Sequence, residues 1–148
     1  MPARHSSLGG RPGVSLPELL LALVLLGLAA VVALPPFRAA QDRLAAEGAA
    51  AQSVRAMLDA RDHAVRRSHR TALLMDTAGA RLSIVAGTET VAVHDLGAVF
   101  GVRLSTTRDS IAWSPVGLGY GAANARLIVA RGLATETVTV SRLGRVRR

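Results

Sequence analysis

The chain of 148 residues contains no cysteine and no lysine. Without cysteine there are no disulfides, no thiolate nucleophiles and no cysteine-ligated metals. Every one of the 18 basic residues is arginine; against 10 acidic residues the formal charge is +8. Such an excess suits an anionic partner, nucleic acid or lipid headgroups, or a solvated basic surface. Aromatics are almost missing: Phe37, Phe100, Trp113 and Tyr120 are all there is, so aliphatic side chains must fill the interior. His5, His63, His69 and His94 do not form a metal spacing; His63 and His69, six apart, fall on different faces of a helix and read as surface residues. There is no nucleophile elbow and no carboxylate pair. The stretch SPVGLGYGAAN lacks the lysine and spacing of a phosphate-binding loop and reads as a turn. Neither catalysis nor a cofactor is expected.

What the chain does have is one long apolar run. Leu19 to Leu34 is uncharged, and Val14 to Leu34 as a helix would span roughly 31 Å, about a bilayer core. Two kinds of segment look like this: a cleaved secretory signal, with small residues such as Ala30 and Ala33 near its end, and a retained membrane helix. Glu18 separates them. A carboxylate in hydrocarbon costs a few kcal/mol on insertion scales, so it needs a partner, and a cleaved segment gains nothing from it. Pro17 fits a helix only in its first turn, so the helix should begin near Val14. A new amino terminus at Val14 would place a cation beside Glu18.

The stretch GVSLPELLLALVLLGLAAVVALP resembles the class III signal of type IV pilins and type II secretion pseudopilins. The resemblance implies cleavage by a prepilin peptidase between Gly13 and Val14 and N-methylation of Val14. It also implies that Glu18 is the acid that meets the terminal amine of a neighbouring subunit during assembly. Pro35 stands where many pilins bend. Val14 in place of the usual Phe or Met, and Pro17 in place of an aliphatic, depart from the pattern. Arginines flank both ends of the apolar run, so charge alone does not orient it. The family topology implies a single pass of the bacterial inner membrane with the C-terminal domain in the periplasm. The implied division is a leader over 1–13, a transmembrane and assembly helix over 14–36, and a periplasmic domain over 37–148.

From Arg38 to Arg70 alanines and interspersed charges favour helix. Leu44, Ala51, Val54, Leu58 and Val65 form one apolar stripe, opposite the four-apart pairs Arg43/Glu47, Arg55/Asp59 and Asp62/Arg66. Pro35-Pro36 should bend this long helix. After Thr71, TALLMD, ARLSIVA, ETVAVHDL, VFGVRLS and SIAW read as short strands, with ARLIVAR and ETVTVSRLGRVRR as two closing strands. Alternation at Leu82/Ile84, Val91/Val93 and Val138/Val140 marks their inner faces. The short spacings favour antiparallel pairing, and the helix stripe is the natural cover. The expected fold is α+β and pilin-like: a long N-terminal helix packed on antiparallel sheet.

The C-terminal part resembles the GspH/FimT family of minor pilins and pseudopilins. The match lies in the alanine- and arginine-rich helix VRAMLDARDHAVRRSHRTALLM, the aromatic–x–Pro–x–Gly element WSPVG at Trp113–Gly117, and GRVR at Gly144–Arg147. The resemblance implies a structural subunit of a type II secretion pseudopilus, partnered by other pilin or pseudopilin subunits, prepilin peptidase and inner-membrane lipid. The alternative it implies is a FimT-like subunit of a type IV pilus that binds DNA through the Gly-Arg-x-Arg element. Arg126, Arg131, Arg142, Arg145, Arg147 and Arg148 face only Glu136 among acids in that stretch. Arg145 and Arg147 would share one side of a strand and could contact phosphates. No aromatic is interleaved for base stacking. A solvated tail, or a contact with an acidic neighbouring subunit, fits the same residues.

Overall fold

A 51-residue helix, α1 (Leu16–Arg66), opens the fold. The computed structural model describes residues 13–120 and 124–148. The rest of the expected leader, with Arg4, His5 and Arg11, lies outside the described residues, as do residues 121–123 of the glycine-rich stretch. The chain divides into two units, one ending at Phe37 and the other running from Arg38 to Arg148.

In the first unit α1 starts at Leu16, two residues later than expected, and Pro17 takes its place in the first turn. Pro35 and Pro36 lie inside the helix; with no N–H they cannot donate to the carbonyls four residues before them. Described residues 13–37 are all exposed. This is the one helix in the described residues long and apolar enough to cross a membrane.

In the second unit the face of α1 that is buried is not the expected stripe. Ala46, Ala49, Ala50, Ser53, Ala56, Met57, Ala60 and Ala64 are buried, whereas Leu44, Leu58 and Val65 are 69%, 47% and 46% exposed. Alanine and serine win these positions because side chains of one or two heavy atoms let the helix backbone lie close against the sheets, where a leucine would hold it away. Ser53 satisfies its hydroxyl by donating to the Ala49 carbonyl at 2.8 Å. Of the three expected pairs, Arg43–Glu47 (2.9 Å) and Asp62–Arg66 form ion pairs, and Arg55–Asp59 does not.

Among the described residues nine strands follow, in two antiparallel sheets. They are β1 (Thr71–Asp76), β2 (Arg81–Ala86), β3 (Glu89–Asp95), β4 (Arg103–Thr106), β5 (Ser110–Trp113), β6 (Gly119–Tyr120), β7 (Ala125–Arg131), β8 (Ala134–Val140) and β9 (Val146–Arg147); a short helix, α2 (Leu96–Phe100), precedes β4. The sheet orders are β3-β2-β1-β5-β6 and β4-β7-β8-β9. In the first sheet the rows Thr71/Trp113, Ile84/Leu73/Ile111 and Leu82/Met75 face the core. In the second, Leu104/Val129, Leu127/Val138 and Ala125/Val140 do. These residues and the alanine face of α1 form one apolar cluster, centred on the fully buried Trp113.

Three expectations about strands change. Val99 and Phe100 belong to α2, which Asp95 caps by accepting from the Ala98 N–H at 2.8 Å. That bond and the Arg81 guanidinium, 2.7 Å away, hold the Asp95 carboxyl below the usual carboxylate range. In β3 the inner face carries Ala92 and His94, opposite Ile84 and Leu82, while Val91 and Val93 are exposed. The register shifts at Ile84/Val85, and the extra residue of that bulge reverses the face of the apolar positions. The final segment is not one strand: β8 ends at Val140, the chain turns through Ser141–Arg145, and β9 returns alongside β8.

Candidate functional site

At the amino-terminal end, Ser15 precedes the helix and Glu18 stands three positions on. The Ser15 carbonyl accepts the first helical bond, from Leu19 N–H at 3.1 Å. The Ser15 backbone N–H lies 3.4 Å from Glu18 Oε2. This is one half of a capping box, with the acid reaching back to the N-cap backbone. The S-x-x-E spacing is visible in the sequence, but the reading above did not use it. A carboxylate in the first turn is also favoured by the helix dipole. Among the described residues nothing lies within 4 Å of a Cβ placed on Gly13. Gly13, Val14 and Glu18 thus stand together, exposed, at the head of the apolar helix.

At the other end, two separate sequence elements meet. Gly144 (φ +75°) packs against the edge of Trp113: a Cβ there would come within 2.9 Å of Trp113 Nε1 and 3.1 Å of the Gly119 nitrogen. Only glycine meets both the left-handed backbone and the close approach. WSPVG and GRVR, far apart in sequence, are therefore one packed unit. Ser141 closes the turn, its N–H donating to the Arg145 carbonyl at 2.9 Å and its hydroxyl accepting from the Arg145 N–H at 3.2 Å. Ser114 and Gly117 close the other turn, and Arg61 Nε donates to the Gly117 carbonyl at 2.8 Å.

This packing fixes where the arginines go. Arg126, Thr139 and Arg147 occupy one cross-strand row on the outer face of the second sheet. Ser105/Ile128/Thr137 and Arg103/Ala130/Thr135 form the next two rows. No acid stands on these rows. Arg145 and Arg147 line a groove of about 450 Å³ with Thr139, Val140, Ser141 and Leu143, although Arg145 lies in the turn and not, as expected, on the strand beside Arg147. Arg142 is exposed in the turn. Arg148 differs from the expectation: it points to the other face and pairs with Glu136 at 3.2 Å, so its charge is already matched. Arg131 is likewise paired, with Asp42.

His69 is exposed as expected, but two other histidines are less exposed than expected. His63 and His94 are half-buried between α1 and the first sheet. His63 Nδ1 lies 3.1 Å from Thr71 Oγ1, and His94 Nδ1 lies 2.9 Å from Gln52 Nε2. They line a cavity of about 340 Å³ with Asp59, Asp62, Arg66 and Arg67. Asp62 there is held below the usual carboxylate range by its hydrogen bond from Arg66. Among the described residues no group of histidines and carboxylates is arranged to hold a metal ion.

No family model matches the chain, and no curated protein sequence does. Two crystal forms of the type IV minor pilin FimU of Pseudomonas aeruginosa (strain PAO1) are similar in structure. One aligns with a TM-score of 0.56 at 17% identity, over 76% of this chain and 91% of FimU. The other gives 0.52 at 17% identity, over 70% and 88%. A long N-terminal helix, antiparallel sheets over its second half and this likeness together make the fold of the chain pilin-like α+β.

Proposed function

We propose that the chain is a minor pilin or pseudopilin, a structural and non-enzymatic subunit of a membrane-anchored filament. The observation that carries this is Glu18, in the first turn of α1, at the head of its apolar and wholly exposed part, on a chain of pilin-like fold. The capping contact leaves one carboxylate oxygen of Glu18 without a partner among the described residues. Prepilin peptidase cuts between Gly13 and Val14, and the freed, N-methylated amine of Val14 on one subunit pairs with Glu18 of the next. The apolar helix over 14–36 anchors the chain once in the bacterial inner membrane, with residues 37–148 in the periplasm. Its machine is a type II secretion pseudopilus, serving protein secretion. Intact-mass measurement of the purified membrane form tests the cut: a mature chain beginning at methylated Val14 is expected, and an intact leader or a cut elsewhere overturns the reading. Glu18→Ala should insert into membrane normally and fail to enter filaments; normal incorporation would refute its role.

A second reading is favoured by the outer face of the second sheet. Arg126 and Arg147 share a row with Thr139, Arg145 joins Arg147 at the adjoining groove, and no acid lies between. Such a face can lie along a phosphate backbone, as in a FimT-like type IV pilus subunit that takes up DNA. Arg142, Arg145 and Arg147 would contact phosphates; Arg148, paired with Glu136, would contribute little. A gel shift with the chain in detergent, repeated across salt, should show retardation that weakens steeply as salt rises and is lost in Arg145→Ala/Arg147→Ala. No salt-sensitive binding leaves the structural role alone.

A further inference from the structure

We propose that the outer face of the first sheet docks a second copy of this chain, with the two β1 strands stacked antiparallel across a two-fold axis. The contact uses only residues of the unit from Arg38 onward in each copy. It holds whether or not the chain enters a filament.

Strand register fixes what this face carries. Leu73, Ile84 and Ile111 turn to the core, so the residues on either side of them in β1, β2 and β5 face away. One outer row runs Tyr120/Ala112/Ala72/Val85. The next runs Leu74/Ser83/Val93. Neither carries a charge, and Leu74, Val93 and Tyr120 are exposed. An uncharged centre with apolar side chains is the composition of an interface core. The outer face of the second sheet, with Arg103, Arg126 and Arg147, is its opposite.

Charge returns at the two ends of β1. Arg70, just before the strand, lies over the Tyr120 ring, 4.7 Å from its centroid. Asp76 ends the strand, about 20 Å further on. Its cross-strand neighbour Arg81 is already paired with Asp95 at 2.7 Å. The Asp76 carboxylate accepts from the Ala78 and Gly79 N–H groups. Neither Arg70 nor Asp76 forms an ion pair among the described residues.

This layout selects the occupant. β1 is the middle strand of the five, and its outward series is Arg70, Ala72, Leu74, Asp76. Reversed against itself, the series sets Arg70 over Asp76 of the second copy and Leu74 over its Ala72. On β2 the same operation sets Val85 over Ser83 of the second copy. Unlike charges meet at both ends, and a large side chain meets a small one between them. A parallel stack would instead oppose Arg70 to Arg70 and Leu74 to Leu74. A patch that complements itself under reversal is what a two-fold contact requires, and sheets stacked about 10 Å apart bring such side chains together.

The chain has no cysteine, so one introduced thiol reports one position. Ser83→Cys and Thr137→Cys variants of the full chain are treated in detergent with a short bis-maleimide. Thr137 is exposed on the outer face of the second sheet and controls for crowding in the micelle. Ser83→Cys should cross-link to a dimer and Thr137→Cys should not. On the Ser83→Cys background, Arg70→Asp and Asp76→Arg should each lower the dimer yield at least about tenfold. An equimolar mixture of these two chains should restore it, because the mixed pair again opposes unlike charges at both ends. Val93→Asp, at an exposed position of the same face, should lower the yield with Tm unchanged. No dimer from Ser83→Cys, equal yields at Ser83 and Thr137, or a mixture that stays monomeric while both chains keep the parent Tm overturns the proposal. Should Asp76→Arg lower Tm, Arg70→Asp and Val93→Asp decide: a yield that neither reduces overturns it.

Discussion

The two parts of α1 invert the usual relation between side-chain size and burial. Up to Phe37 the helix is built of leucine and valine, and all of it is exposed. Beyond Arg38 its buried face is alanine, with Met57 the one large exception, while Leu44, Leu58 and Val65 face outward. Large apolar groups stand where no described part of the chain covers them. Small ones stand where the partner is the chain's own sheet, because a close backbone approach buries more of the sheet's Leu, Ile, Val and Trp than a leucine on the helix would bury of itself. Burial in this molecule follows the distance between elements, not the hydrophobicity of individual positions.

That contrast can be broken at single positions. Ala60→Leu forces a large side chain into the helix–sheet contact and should cost about 1–3 kcal/mol, read as a fall in Tm of the full chain in detergent. A neutral result would mean that the alanine face is loosely packed. Gly48→Val should cost about 1–2 kcal/mol, because even a Cβ there meets the Phe100 ring at 2.8 Å. In the apolar part, Gly27 has nothing within 4 Å of its Cβ position, so Gly27→Ala should leave Tm unchanged; any loss it causes in filament assembly would place a neighbouring subunit there. The smallest effect is expected at Leu58→Ala, within about 0.5 kcal/mol, although leucine is the more apolar residue. A large loss at Leu58 would restore the stripe read from the sequence.

Much of the architecture was legible. The uncharged run, the glycine and acid before it, the strand segments around Leu73, Ile84, Ile111 and Val138, and the antiparallel order all follow from composition and alternation. The helix stripe was misphased because leucine outranks alanine in any count of apolar positions. The face of Val91 and Val93 was misassigned because a bulge is a property of two strands together and leaves no mark in one. The short helix α2 carried a usable signal, Asp95 before it and Gly101 after it, the usual N-cap and left-handed C-cap residues. It lost to the β-propensity of VFGV. Of the candidate sites, the amino-terminal group could be named from sequence, and its capping role with it. The row Arg126/Thr139/Arg147 and the pairing of Arg148 with Glu136 could not, since both depend on strand register across separate segments.

The contact between Gly144 and Trp113 ties the tail to the largest fully buried side chain among the described residues. Trp113 Nε1 is buried with no hydrogen-bond partner among the described residues, and Gly144, in the turn that carries Arg142 and leads into Arg145, packs against that edge of the ring. The molecule thus contains its own optical gauge: were a bound anion to shift that turn, the ultraviolet emission of the lone indole would register the movement with no label attached.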